Sequence, residues 1–349
     1  MDNKTYLDWD DITLIPSVQT QIESRKEINI YDDFKMLPLM VAPMHGIIDK
    51  DNYDLFIKNN IYATIPRKEF FDGYYEERWA NHMIVSISLK EAKHILEPYM
   101  RPIKSGIDEG RITTICIDIA NGHMESVEAV LHHVKNNCNV KIMVGNIAHP
   151  RTFKILSEAG ADYIRVGIGS GAGCLTSQQT SIHYPMMSLI SDVYRLKIQD
   201  GLTAKIVADG GFKKYSDIIK ALAVGSDYVM VGSIFNKALE ASAKTRAWKI
   251  FPVPKFTHNF LYRLRIPLYH LFFGMSTKLA QTLWGNRQMK TSEGITKYQR
   301  VEYTLNQWTE NFCDYLRSSM SYTNSLNLVS FKDSEYIQIS TNSLKRFKK

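Results

Sequence analysis

Of the four cysteines in the chain, Cys174 stands in a setting unlike the other three. It closes the glycine-rich part of VGIGSGAGCLTSQQT (166–180), where Gly167, Gly169, Gly171 and Gly173 come at every second position ahead of it. Glycine lets a backbone approach a ligand closely. A thiol after such a loop can sit among exposed backbone N–H groups, which favours the nucleophilic thiolate. Thr176, two residues on, is placed to relay a proton. The competing structural reading is a tight turn ending in an inert cysteine. Cys116, inside the apolar run RITTICIDIA, reads as core, and Cys138 and Cys313 lie in polar or helical contexts without glycines. No CxxC pair occurs, so neither a zinc site nor a disulfide framework is suggested.

A second group of residues suits a nucleotide. AKIVADGG (204–211) and DYVMVGSIF (227–235) each end an apolar run in glycine. Backbone amides at Gly210, Gly211, Gly232 and Ser233 would cradle a phosphate, as loops seven and eight of α/β barrels commonly do. Asp209 would repel a phosphate, but a carboxylate beside one can accept hydrogen bonds from a ribose diol. The pair describes a nucleoside monophosphate. A third element is FGMST (273–277), followed by TSEG (291–294). Gly274 and Met275 could lay backbone groups along a purine edge, and Glu293 offers a carboxylate near the reacting centre. Taken alone, Glu293 reads better as a surface residue at a helix start.

These residues need a scaffold that gathers them at one end. Eight short apolar runs, rich in β-branched residues, occur at 37–44, 61–66, 83–88, 112–118, 140–146, 162–167, 204–209 and 227–232. Their continuous apolar character suits parallel strands buried on both faces. Helical patterns follow at 51–60, 89–100, 124–137, 150–159 and 216–225. An open doubly wound sheet is the alternative, but eight units of comparable size favour an α/β fold of the (β/α)8 TIM-barrel type. Such a barrel carries its chemistry at the C-terminal ends of its strands. There the chain places Met44, Arg67, Asp118, Asn121, Asn146, the 167–174 loop, Asp209 to Gly211, and Gly232-Ser233. The barrel is expected over residues 1–324, with a short strand and a frayed basic tail over 325–349.

Composition sets outer bounds. With 349 residues, 44% of them hydrophobic, the chain can fill a sizeable core. No apolar run of spanning length and no basic-then-apolar leader is present, so a cytoplasmic location is the default. The net charge of +7 fits an enzyme that attracts phosphorylated substrates or simply a solvated basic surface. Neither a nucleic-acid partner nor a membrane is expected. The basic, aromatic segment 234–272 is longer than an ordinary connection and is expected to pack across the barrel rim.

The motifs YLDWDDITLIPS, APM (42–44), IDIANGH, VGN, GADYIRVGIGSG-C-T, IVADGG, GSDYVMVGSIF, FGMS, SEG and RSSMSY occur in an order and spacing that resemble the IMP dehydrogenase/GMP reductase family over roughly residues 7–323. The chain lacks the inserted CBS pair and the long flap typical of the dehydrogenases. Asn121 and the T-x-x-x-Y-P segment at Thr180 to Pro185 are similar to the reductases. The resemblance implies NADPH-dependent reductive deamination of GMP, in which Cys174 attacks C2 and Thr176 and Glu293 handle the proton of the departing amine. By the same resemblance Met44, Asn146, Asp209, Gly210, Gly211, Gly232, Ser233, Gly274, Met275, Ser276 and Lys290 contact the substrate. Arg67, Lys68, Asp118, Asn121 and Tyr322 contact the cofactor. Carbonyls of Gly169, Gly171 and Cys174 hold a monovalent cation such as potassium, and the assembly is a homotetramer. The chain departs from the family at Ala172, where a phosphate-binding serine is usual, and at His45, Gly46, Phe273, Lys290 and Thr291. A minimal IMP dehydrogenase, a flavin-dependent barrel and a nucleotide binder without activity remain as alternatives.

Overall fold

The computed structural model describes residues 5–69, 77–283 and 294–347. Eight parallel strands form its centre: Leu39–Val41, Ala63–Ile65, Met83–Ile87, Thr114–Asp118, Lys141–Ile147, Tyr163–Val166, Lys205–Asp209 and Tyr228–Val231. Each pairs with its sequence neighbours, and the first pairs with the eighth. Two hydrogen bonds close the ring between the first and second, Val41 N to Tyr62 O (2.9 Å) and Tyr62 N to Leu39 O (3.0 Å). The fold is therefore a (β/α)8 barrel, and the open sheet is excluded. The strands are almost wholly buried because their inner faces fill the barrel and their outer faces meet helices.

Helices Tyr53–Lys58, Ser126–Asn137, Pro150–Glu158 and Tyr215–Ala223 occupy the expected intervals, and Met186–Gln199 and Leu305–Tyr322 add two more. The interval 89–100 differs from expectation. Its helix stops at Lys93, and a new one runs over Arg101–Asp108 after a 3₁₀ turn at Pro98–Met100. Pro98 and Pro102 are the reason: each is tolerated in the first turn of a helix but not in the interior of one continuous from residue 89.

The N-terminal ends of the strands are closed by hydrogen-bonded carboxylates. Asp32 accepts the hydroxyls of Tyr62 (2.5 Å) and Tyr228 (3.0 Å) on one oxygen and the N–H groups of Phe34 and Met36 on the other. Asp227 accepts Lys197 Nζ (2.9 Å), Ile206 N (2.7 Å) and Lys332 Nζ (2.5 Å). Asp162 accepts Lys135 Nζ (2.6 Å) and Ile142 N (2.7 Å).

The segment after the eighth strand does not simply lie across the rim. It builds a lobe of four antiparallel strands in the order Phe251–Val253, Thr245–Ala247, Leu268–Phe273, Thr296–Arg300. The lobe has its own small core of Leu239, Ala247, Leu268 and Val301, with Leu261, Tyr262 and Ile266 packed against it. Enough apolar residues fall on the inward side of these short elements to bury one face; the others stay in solvent. His270 ties the lobe to the barrel by a 2.7 Å hydrogen bond with Asn236 O, and burial pushes its imidazole down to about 4, so it is neutral at physiological pH. The hairpin of the first two lobe strands turns at Trp248-Lys249, with φ 50° and 65°, closed by Ile250 N to Ala247 O at 3.0 Å. Two-residue turns of this geometry favour Asn-Gly, and a left-handed residue with a side chain costs about 1 kcal/mol.

Near the C-terminus, Tyr336–Gln338 pairs antiparallel with Ile12–Leu14, and Thr341–Phe347 is helical.

Candidate active site

The C-terminal mouth of the barrel opens into a cavity of about 310 Å³. The sixth strand delivers the glycine loop to its edge. Cys174 is half-buried there, its N–H bonded to Gly171 O (2.9 Å) and its Sγ 3.1 Å from Thr176 Oγ1. The other cysteines are different. Cys116 is fully buried, which pushes its thiol up to about 11, and burial raises Cys138 and Cys313 as well. Those three thiols stay protonated and inert at neutral pH.

Three distant stretches of chain converge on Cys174. The Gly274 backbone lies so close to Gly173 that a Cβ on Gly274 would meet Gly173 O at 2.3 Å. No other residue fits there. Ile295 N donates to Gly173 O and Gly274 N to Ile295 O, both at 3.1 Å, and Gly294 is bridged antiparallel to Cys174. The FGMST loop and the residues directly after SEG are thus hydrogen-bonded to the loop that carries the thiol. Glu293 and Lys290 lie outside the described residues; Gly294, the next residue after Glu293, is the one bridged to Cys174.

The floor of the cavity is an ionic chain that the sequence reading missed. Arg165 projects from the sixth strand and is buried between two carboxylates. Its Nη1 meets Asp118 Oδ1 at 2.6 Å, and its Nε and Nη2 meet Asp209 Oδ2 at 3.1 and 2.8 Å. Burial opposes its charge, but Asp209 and Asp118 outweigh that and keep it protonated. Arg67 reaches the second oxygen of Asp118 at 3.3 Å. Asn146 Nδ2 donates to Gly167 O and to Asp209 Oδ2, both at 2.8 Å. With two acceptors facing it, the amide orientation is determined, and Asn146 Oδ1 faces away from both. Asp209 Oδ1 has no hydrogen bond among the described residues, so one carboxylate oxygen is left for a ligand. The missed signal was a charge inside an otherwise apolar strand, DYIRVG: an arginine so placed must be paired.

The cradle has the expected glycines. Gly210 and Gly211 adopt φ of 99° and 85°, and Gly232 precedes the short helix Ser233–Asn236. A Cβ on Gly210 would lie 2.6 Å from Ser170 Oγ. Ser170 therefore stands at the cradle, while Ala172 supplies no hydroxyl. Among the described residues the only cations lining the cavity are Arg67 and Arg165, both paired with carboxylates. A phosphate here would be held by backbone N–H groups and hydroxyls.

Of the residues singled out from sequence, Cys174, Thr176, Met44, Asn146, Arg67 and Asp118 line the cavity. So do Asp209 to Gly211, Gly232, Ser233, Gly274 to Ser276, Gly169 and Gly171. Lys68 and Asn121 are exposed and flank it, next to the lining residues Arg67 and Ala120. Tyr322 is not brought there. It ends the 18-residue helix Leu305–Tyr322, whose start is bonded to Glu240 beyond the eighth strand; such a helix is about 27 Å long. Gly169 O accepts Ser177 Oγ and Gly171 O accepts Cys174 N, both at 2.9 Å. Each carbonyl keeps a second lone pair.

A parallel eight-stranded barrel with a thiol, a neighbouring hydroxyl and a glycine-lined cavity at its C-terminal mouth belongs to the barrels that carry their chemistry at that face. Residues 100–348 match the family model for the IMP dehydrogenase / GMP reductase domain, and the chain belongs to that family of purine-metabolism oxidoreductases. It is 30% identical over 247 residues to a GMP reductase of Streptococcus suis (strain 05ZYH33), an alignment covering 68% of this chain and 72% of the relative. A GMP reductase of Chromobacterium violaceum is 25% identical over 347 residues, covering 96% of this chain and 99% of that protein. A GMP reductase of Streptococcus pneumoniae (strain JJA) is 29% identical over 247 residues, covering 68% and 72%.

Proposed function

We propose that the chain converts GMP to IMP and ammonia by NADPH-dependent reductive deamination through a covalent bond to Cys174. The observation that carries this reading is the Cys174 thiol, 3.1 Å from the Thr176 hydroxyl, at the edge of a cavity whose far side offers Asp209 and the Gly210-Gly211 turn. The ribose diol of GMP donates to Asp209 Oδ1, and its phosphate lies on the amides of Gly211, Gly232 and Ser233 with the Ser170 hydroxyl. Met275 and Ser276 border the base. Cys174 sulfur bonds to C2, and the amino group leaves as ammonia with a proton passed by Thr176 and Glu293. NADPH, when bound, supplies the hydride that C2 takes up before the C–S bond breaks and the thiolate returns. Covalent capture divides one difficult substitution into two easier steps.

Asp118 and Arg67 at the cavity wall, flanked by Lys68 and Asn121, fit a cofactor ribose and its phosphates. Tyr322, remote from its own cavity, would serve the cavity of a neighbouring copy in a homotetramer. The carbonyls of Gly169, Gly171 and Cys174 are neutral oxygens of the kind that hold potassium.

The experiment is NADPH oxidation with a panel of purine nucleotides, with ammonia measured in parallel. GMP is expected to consume NADPH and release an equal amount of ammonia. Reduction of NAD with IMP instead would make the chain a dehydrogenase. Tight GMP binding without turnover would make it a binder.

A further inference from the structure

The lobe that leads into the FGMST loop presents a surface the cavity does not use. Between residues 244 and 265 the chain has six cations, Lys244, Arg246, Lys249, Lys255, Arg263 and Arg265, and no carboxylate. Lys255 pairs with Asp49 (3.1 Å), and Lys249 and Arg246 lie over the rings of Tyr269 and Tyr298. Lys244, Arg263 and Arg265 are exposed and have no carboxylate partner among the described residues.

Large apolar side chains stand among these cations. Phe256, Phe260 and Leu264 recur every fourth residue along the 3₁₀ turn Lys255–Thr257 and helix His258–Arg263, so they share one face. They are 87%, 64% and 56% exposed. The opposite side of the same helix, at Leu261 and Tyr262, packs on the lobe's small core. Trp248, Ile250 and Phe251 at the hairpin tip are also more than half exposed. Trp248 N donates to Pro267 O (2.9 Å), which holds the tip beside the end of that helix. Left-handed backbone at Trp248 is disfavoured for a tryptophan, and the side chain is not repaid by burial. Such outliers concentrate where function selects them.

We infer that this face docks on an anionic lipid surface, with the aromatic and aliphatic side chains entering the interfacial region and the lysines and arginines meeting lipid phosphates. Three observations choose this occupant. Five cations, Lys244, Arg246, Lys249, Arg263 and Arg265, have no carboxylate partner among the described residues and call for a negatively charged partner. Ile250 and Leu264 among the aromatics suit hydrocarbon, whereas a single-stranded nucleic acid calls for stacking platforms. A second copy presenting the same face would bring like charges together. The contact is peripheral, since no described helix is long and apolar enough to cross a membrane. It differs from the sequence-based expectation that no membrane is involved.

The test is flotation of the full chain with vesicles of phosphatidylcholine, with and without phosphatidylserine. The chain is expected to float with the serine-lipid vesicles alone and to be released by salt. Phe256→Ser with Phe260→Ser, and separately Lys249→Glu with Arg263→Glu, should each weaken binding by about tenfold or more. Both variants should keep the native circular dichroism and nucleotide turnover. A blue shift of tryptophan emission on adding vesicles should vanish in Trp248→Phe. Equal flotation of the variants, or no flotation on anionic vesicles, overturns the inference. So does dissociation of an oligomer by the same variants without vesicle binding, which would make the face a contact between copies. Binding of single-stranded RNA in place of vesicles would overturn it too.

Discussion

The two ends of the barrel use the same kinds of residue to opposite purpose. At the N-terminal end, Asp32 and Asp227 have both carboxylate oxygens engaged by tyrosines, lysines and backbone N–H groups. At the C-terminal end, Asp209 is held as firmly on one oxygen, by Arg165 and Asn146, and its other oxygen has no partner among the described residues. Glycines at positive φ, a half-buried thiol and hydroxyls border the same space. A satisfied end contributes stability. An end that is rigid and incompletely satisfied is prepared for a ligand, because a bound molecule then makes its hydrogen bonds without reordering the groups that receive them.

Substitutions should separate the two ends. Cys174→Ala removes the proposed nucleophile and should lower turnover by about 10³-fold or more, with a melting temperature within about 2 °C of the parent; a variant that still turns over would remove Cys174 from the chemistry. Arg165→Met joins both properties, because it takes the cation from Asp209 and leaves Asp118 with Arg67 alone. It should cost about 3–5 kcal/mol in denaturant unfolding as well as activity. If stability were unchanged, the ionic floor would not be structural.

At the other end, Lys332→Met should cost about 2 kcal/mol and leave kcat unaffected. Its pH signature follows from Asp227. Burial acts to raise this carboxyl, but Lys332 and Lys197 outweigh it and hold the group below its ordinary 3.8. The stabilisation is complete above that ordinary value and is lost as pH falls through the depressed one. Removing Lys332 should therefore move the acid-unfolding midpoint toward neutrality, and an unmoved midpoint would count against the pairing. The smallest effect is expected at Ser170→Ala, about a tenfold rise in KM for the nucleotide with kcat nearly constant. A fall in kcat alone would place Ser170 in the chemistry and not in the cradle.

Much of the barrel could be read from residue order. Each apolar run lies on an observed strand, because a strand covered on both faces has no polar positions to obscure it. The helix over 89–100 could not, since the apolar spacing there continues through Pro98, which divides the helix. In the site, the thiol, the glycine turns and the aspartates stood out by type and spacing. Arg165 did not, because it sits inside an otherwise apolar strand pattern, DYIRVG. Ser170 has no such signal, because the family pattern puts its phosphate-binding serine at 172, where this chain has alanine. Tyr322 matched by motif, yet its helix carries it away from the cavity of its own chain.

The sequence by itself determined the barrel, the family and the glycine-rich setting of Cys174, because periodicity and local spacing are properties of neighbouring residues. Only the tertiary structure decided what meets across the fold. Arg165 between Asp118 and Asp209, Gly274 against Gly173, Gly294 beside Cys174, and the outward face of the 244–265 lobe all join or expose residues that chain order leaves far apart. Their energies depend on distance and burial, which no local pattern records.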